Sequence, residues 1–232
     1  MMTSSRDIPT KRTPPHRELL RRHRAHWGNS FALRASFLAI VAFSASLLIE
    51  YYAIAYATAS VSNPATDIIL SNIPAFDVND LYVYGLMLLT GFITFLCLTH
   101  PKRVPFVLFS LALFVVIRSF FNSLTHLAPY PIPFAPDFGT TITKVFFGGD
   151  LFFSGHTGVP FLMGLLFWRE TVLRYFFLLC SAFFAVVVLL GHLHYSIDVA
   201  AAFFITYTIY AIARWLFPRS HALFISDPIA EH

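Results

Sequence analysis

Residues 105–124, "PFVLFSLALFVVIRSFFNSL", form an apolar run that contains a single charged side chain, Arg118. A run of about 20 apolar residues is long enough to cross the hydrocarbon core of a bilayer as an α-helix. The composition of the whole chain agrees, because 57% of its 232 residues are hydrophobic and only 12% are charged. A soluble domain carries about twice that charged fraction. The sequence therefore predicts a membrane protein.

Six apolar runs are long enough to be transmembrane helices, and they predict an all-α membrane protein. They cover residues 35–60, 81–99, 105–124, 152–168, 175–190 and 197–217. The fourth and fifth are the shortest, so we expect one end of each to lie in a protein-lined cavity. The predicted organisation is a basic tail over residues 1–34, a six-helix catalytic membrane domain over residues 35–217, and a short tail over residues 218–232.

The Lys and Arg residues predict the orientation of the helices. Fourteen of the sixteen fall on one side, in the tail up to Arg34 and in the segments 102–103, 169–174 and 214–219. Only Arg118 and Lys144 fall on the other side. The positive-inside rule then places both termini in the cytoplasm. The basic residues are not interleaved with exposed aromatic ones, so no nucleic-acid partner is expected.

This orientation puts residues 61–80, 122–156 and 191–197 on the extracytoplasmic side, facing either the outside or a lumen. Such a face occurs in a bacterial inner membrane, or in a Golgi or plasma membrane. Most of the unusual polar residues fall in or beside these segments: Asp67, Asp77, Asp80, Asp137, Asp150, His156, His192, His194 and Asp198. Ionisable residues at membrane depth usually mark a functional site. Their origin in three separate segments predicts an extracytoplasmic active site.

Two short motifs carry the candidate chemistry. His194 and Asp198 are four residues apart at the start of a predicted helix, so the carboxylate can orient the imidazole and leave Nε2 as a base or nucleophile. "SGHT" at residues 154–157 places His156 beside a predicted helix N-terminus, which favours anions. A metal site is the competing interpretation, with His192 as a further ligand. The spacing does not match a helical zinc pair, so we expect no metal and no cofactor.

"GGDLFFSGHT" (148–157) and "HYSIDV" (194–199) resemble the two catalytic motifs of the sphingomyelin synthase family, within the PAP2-like lipid phosphate phosphatase superfamily. The matching residues are Gly149, Asp150, Ser154, Gly155, His156, Thr157, His194, Tyr195, Ser196, Asp198 and Val199. Two weaker similarities are "RSFFNSLTHLAPYP" (118–131) and "IPAFD" (73–77). Gly148 stands where the family has Cys, and Leu193 where the animal enzymes have Asp.

The resemblance implies a transfer reaction. His194, oriented by Asp198, would attack a glycerophospholipid such as phosphatidylcholine and form a phosphohistidine as diacylglycerol leaves. His156 would act as acid and then as base toward a primary alcohol such as that of ceramide. The implied substrate-binding residues are Arg118, Asp150, Ser154, Gly155, Thr157 and Tyr195.

Two other functions remain open from the sequence. A phosphatase or phospholipase C-like hydrolase of the same superfamily would use water as the acceptor. The phosphatases resemble a pattern of Lys, six residues, then Arg-Pro, whereas Leu151 stands seven residues after Lys144 here. A channel or transporter is the third possibility, but Glu50 and Arg118 are the only charged residues in the spans away from the ends of the last one. Glu50 is expected to be a hydrogen-bonding partner inside the membrane, or to line a cavity.

Overall fold

The computed structural model describes residues 14–131 and 152–227. Within these residues the chain forms α-helices and one 3₁₀ turn, with no β-strand, as the composition predicts. The helices are α1 (Pro15–Trp27), α2 (Ser30–Ala59), α3 (Asn79–Thr99), α4 (Val104–Leu124), α5 (Gly155–Leu166), α6 (Thr171–Leu190), α7 (Ser196–Leu216) and α8 (Pro218–Ile225). The 3₁₀ turn covers Pro101–Arg103, directly before α4.

Side-chain caps explain where two of these helices begin. The Asn29 side chain accepts a hydrogen bond of 3.0 Å from the backbone N–H of Ala32 at the start of α2. The Ser154 hydroxyl accepts one of 3.3 Å from the N–H of Thr157 at the start of α5. Such caps satisfy N–H groups that have no partner within the helix.

Within the described residues, five helices are long and apolar enough to cross a membrane: α2, α3, α4 with the turn before it, α6 and α7. Their bounds lie close to those predicted from the apolar runs. The fourth predicted run, residues 152–168, forms α5, which has only 12 residues and a length of about 18 Å. That is shorter than a hydrocarbon core of about 30 Å. The prediction of six spans is therefore not confirmed, because the Ser154 cap and the end at Leu166 shorten the helix.

The basic segments meet at one end of the molecule, as their common side in the sequence predicts. Arg22 of α1 contacts His100 at the end of α3, and the His100 ring lies 3.1 Å from the carboxylate of Asp227. Arg103 is fully buried and forms an ion pair of 2.7 Å with Glu170. These contacts join the end of α3, the link before α6 and the C-terminal segment. That this end faces the cytoplasm stays a prediction.

The helices pack in two groups that meet where α4 contacts α7. α2 packs along α4, and α5 packs between α6 and α7. α3 contacts α5 and α6 and has no extensive contact with α2. Aromatic side chains fill the centre, where Phe114 of α4 meets Phe153 edge-on at a ring-centroid distance of 5.3 Å. Large apolar side chains such as Phe204 point outward, as lipid-facing residues do.

Candidate active site

The fold brings the two histidine motifs together, although about forty residues separate them in the sequence. The backbone N–H of Ser154, before α5, donates a hydrogen bond of 3.2 Å to the carbonyl of Asp198, in the first turn of α7. The N-termini of these two helices are therefore neighbours. Since a helix N-terminus carries a partial positive charge, both helices direct partial positive charge toward the same pocket.

His194 and Asp198 lie side by side, although the prediction that both are on the first turn of one helix is wrong, because the helix begins at Ser196 and His194 precedes it. The imidazole Nδ1 of His194 is 3.8 Å from Oδ2 of Asp198, and only 2% and 1% of the two side chains are exposed. The same carboxylate oxygen accepts a hydrogen bond of 2.9 Å from the backbone N–H of Tyr195. Asp198 is thus held by the start of its own helix. Because its carboxylate faces Nδ1 of His194, Nε2 lies on the far side of the imidazole ring.

His156 lies in the first turn of α5 and is held by stacking. Its ring lies parallel to that of Tyr82 on α3, with a centroid distance of 3.7 Å and an interplanar angle of 17°. Phe184 of α6 contacts it edge-on at 5.8 Å. The side chain is almost fully buried. Sequence patterns could not identify Tyr82 or Phe184 as neighbours of His156, because the contacts cross between helices.

Arg118 reaches this pocket from α4. Its Nε donates a hydrogen bond of 3.1 Å to the carbonyl of Phe153. Its guanidinium carbon lies 3.5 Å from the position that a Cβ atom on Gly155 would occupy. Its Nη1 forms an ion pair with Glu50 of α2. The prediction that Glu50 acts as a hydrogen-bonding partner inside the bundle is therefore confirmed.

Asp67 ties the segment between α2 and α3 to the second histidine motif. Its Oδ2 accepts a hydrogen bond of 2.7 Å from the backbone N–H of Ser196, two residues after His194. Its Oδ1 accepts from the N–H groups of Ile69 and Leu70. Burial would by itself raise the pKa of Asp67, but these hydrogen bonds outweigh it and hold the pKa below its ordinary value. The sequence marked Asp67 as an outer polar residue without a role.

The predicted substrate-binding residues occupy different environments. Arg118 and Gly155 lie at the pocket, and the Ser154 hydroxyl caps α5. Thr157 is fully buried. The Tyr195 hydroxyl donates to the carbonyl of Ala128 and accepts from the N–H of Ala65. Contact of these groups with substrate stays a prediction, and Asp150 lies outside the described residues.

His192, the additional ligand of the metal interpretation, does not join the other two histidines in a metal-binding group. Within the described residues no three His, Cys, Asp or Glu side chains come together as a candidate metal site. The His192 backbone adopts a left-handed φ of 50°, and its ring packs edge-on against Tyr130 at 5.3 Å. It thus packs against an aromatic side chain of the segment that follows α4.

A cavity of about 770 Å³ extends from this pocket between α2, α3 and α4. Glu50, Arg118, Gly155 and His156 lie among the residues that line it. Most of the others are apolar, and they continue as far as Leu98 near the opposite end of α3. The cavity therefore joins a polar pocket to a long apolar space within the bundle.

The segment that carries both histidine motifs is similar to a known family. Residues 148–215 match the family model "PAP2 superfamily C-terminal". The match supports the PAP2-like superfamily and the lipid phosphatase or phosphotransferase chemistry of its enzymes. Together with the five long apolar helices, the PAP2 match fits an integral membrane protein. No curated protein and no solved structure matches the chain.

Proposed function

We propose that this protein is a lipid phosphotransferase of the sphingomyelin synthase type. It would move a phospho-head group from a glycerophospholipid to the primary alcohol of a second lipid. The observation that carries the proposal is the placement of His156 at the polar end of an apolar cavity, at the start of a helix whose Ser154 cap is hydrogen-bonded to Asp198 of the second histidine motif. That arrangement suits a substrate with a phosphate head group and acyl chains.

In the first step, Nε2 of His194 attacks the phosphorus of the donor. A phosphorus–nitrogen bond forms as the bond to the diacylglycerol oxygen breaks, and His156 gives that oxygen its proton. Asp198 stabilises the positive charge that develops on His194, since its Oδ2 lies 3.8 Å from Nδ1. Arg118 and the N-terminus of α5 stabilise the charge on the phosphoryl oxygens.

In the second step, the hydroxyl of the acceptor gives its proton to His156 and attacks the same phosphorus. The phosphorus–nitrogen bond breaks, and His194 returns to its starting state. The acceptor would be ceramide or a similar lipid alcohol, because the cavity is mostly apolar. The low exposure of His156, His194 and Asp198 favours transfer to a lipid alcohol over transfer to water.

Proteoliposomes test this proposal. They would contain phosphatidylcholine labelled in its choline, with ceramide as the acceptor, and the products would be separated by chromatography. We expect labelled sphingolipid and an equal amount of diacylglycerol, and neither product with His194→Ala. Release of labelled phosphocholine and diacylglycerol without labelled sphingolipid would favour the hydrolase. If the folded protein turned over no donor among choline, ethanolamine, glycerol and inositol phospholipids, the proposal would be wrong.

A further inference from the structure

Glu50 and Arg118 form an ion pair inside the bundle, at about the same depth as His156. Oε1 of Glu50 lies 2.5 Å from Nη1 of Arg118, and their side chains are 14% and 9% exposed. The other carboxylate oxygen accepts a hydrogen bond from the hydroxyl of Ser119. Buried charges are costly to keep. The ion pair is therefore expected to have a role other than joining α2 to α4, because these helices already pack along each other.

The pair lines the same cavity as His156. Among the described residues that line this cavity, Arg118 is the only Lys or Arg. Its guanidinium also lies against Gly155, in the first turn of α5. A phosphate group placed between His156 and His194 would therefore meet the guanidinium of Arg118 with the carboxylate of Glu50 directly behind it.

We propose that Glu50 determines which class of phosphate the site accepts, by offsetting the positive charge of Arg118. The inference rests on the function proposed above. A phosphodiester head group carries one negative charge on its phosphate, which the α5 N-terminus and the partly neutralised guanidinium can stabilise. A phosphomonoester carries close to two negative charges at pH 7. The second charge would lie within a few ångströms of the Glu50 carboxylate, in surroundings of low dielectric constant. The site thereby selects diesters and disfavours monoesters.

The test compares two donors with identical acyl chains, phosphatidylcholine and phosphatidic acid. Loss of each is measured in detergent micelles that also contain ceramide as the acceptor, for the parent protein and for Glu50→Gln. We expect the ratio of the phosphatidic acid rate to the phosphatidylcholine rate to rise by about tenfold or more in Glu50→Gln. A ratio that stays within about twofold of the parent would overturn the inference, provided that the variant is folded.

Two further variants separate charge from geometry. Glu170→Gln removes a carboxylate from the Arg103 ion pair at the opposite end of the bundle, so it should keep the parent's ratio. Glu50→Asp keeps the charge, so its ratio should also stay near that of the parent. If Glu50→Asp shifted the ratio as far as Glu50→Gln, the shape of the pocket rather than its charge would control the choice.

A measurement on the parent protein covers the case in which Glu50→Gln does not fold. Phosphatidic acid should inhibit phosphatidylcholine turnover less strongly as the pH rises through about 6, where its phosphate gains a second charge. Phosphatidylglycerol, a diester, keeps a single charge and serves as the reference inhibitor. Equal pH dependence for the two inhibitors would contradict the inference. If the parent turned over no diester at all, the proposed function itself would fail.

Discussion

Gly158 lies two residues after His156, where α5 packs against α7 and meets the Phe114 ring of α4. A Cβ atom at Gly158 would lie 2.7 and 2.8 Å from two ring carbons of Phe114, and 3.0 Å from the hydroxyl of Thr206. Ordinary contact begins near 3.4 Å, so about 0.7 Å of movement is required. Movement of the Phe114 ring is restricted, because the side chain is 2% exposed and packs against Phe153.

We therefore predict that Gly158→Ala destabilises the fold by about 1–3 kcal/mol, the usual cost of overpacking. For a chain of this size that corresponds to roughly 2–4 °C in melting temperature per kcal/mol. The shift of α5 also moves His156 relative to His194. Because a misplacement of about 1 Å can cost 10²-fold in rate, we expect turnover to fall by about tenfold or more.

The assay is thermal unfolding in detergent, combined with turnover of a phosphodiester lipid. Gly91→Ala on α3 is the matched control, because a Cβ atom there meets nothing within 4 Å. That substitution should leave stability unchanged or raise it by up to about 1 kcal/mol. If Gly158→Ala behaved like Gly91→Ala in both measurements, the close packing of α5 against α4 would be wrong.

His156→Ala should lose turnover of natural lipid but recover the first step with a nitrophenyl phosphodiester, because that leaving group needs no proton. A burst of nitrophenol measures the recovery, and the absence of a burst would contradict the role of His156 as an acid. An impermeant thiol reagent applied to intact cells should label Thr66→Cys but not Arg169→Cys, with the parent as control; the opposite labelling would reverse the orientation. Asp67 has a lowered pKa, so its contribution to stability is fully present above about pH 4 and is lost as the pH falls through that lowered pKa. Asp67→Asn should therefore lower the melting temperature more at pH 7 than at pH 3; an equal effect at both would show that the bond to Ser196 does not depend on the charge.

The apolar runs predict most of the helices, because the length and hydropathy of a span are local properties. The predicted ends at Thr99, Leu124 and Leu190 agree with the structure. α5 is the exception, since hydropathy does not show that Phe153 adopts a left-handed φ of 28° and that the helix begins only after Ser154. α1 and α8 were predicted as parts of polar tails because neither has a long apolar run.

The candidate site was predicted in part. The pairing of His194 with Asp198 was predicted from helical spacing, but it is made from outside the helix, because α7 begins only at Ser196. The convergence on His156 follows from the common side of the two motifs. The contacts that hold the site residues in place could not be predicted from the sequence, because they join residues that are far apart in it. Glu50 and Arg118 are 68 residues apart, and Tyr82 reaches His156 from another helix. No local pattern encodes such pairs.

The phosphohistidine on His194 is the central element of the proposed mechanism, and trapping it is the most direct test. Purified protein would be mixed with phosphatidylcholine labelled with ³²P, without an acceptor, and then quenched and digested. We predict an acid-labile label on the peptide that contains His194. The label should also form in His156→Ala when a nitrophenyl donor is used, and it should be absent from His194→Ala. Ceramide should discharge the label as labelled lipid. A label on the His156 peptide, or steady transfer by His194→Ala, would contradict the mechanism.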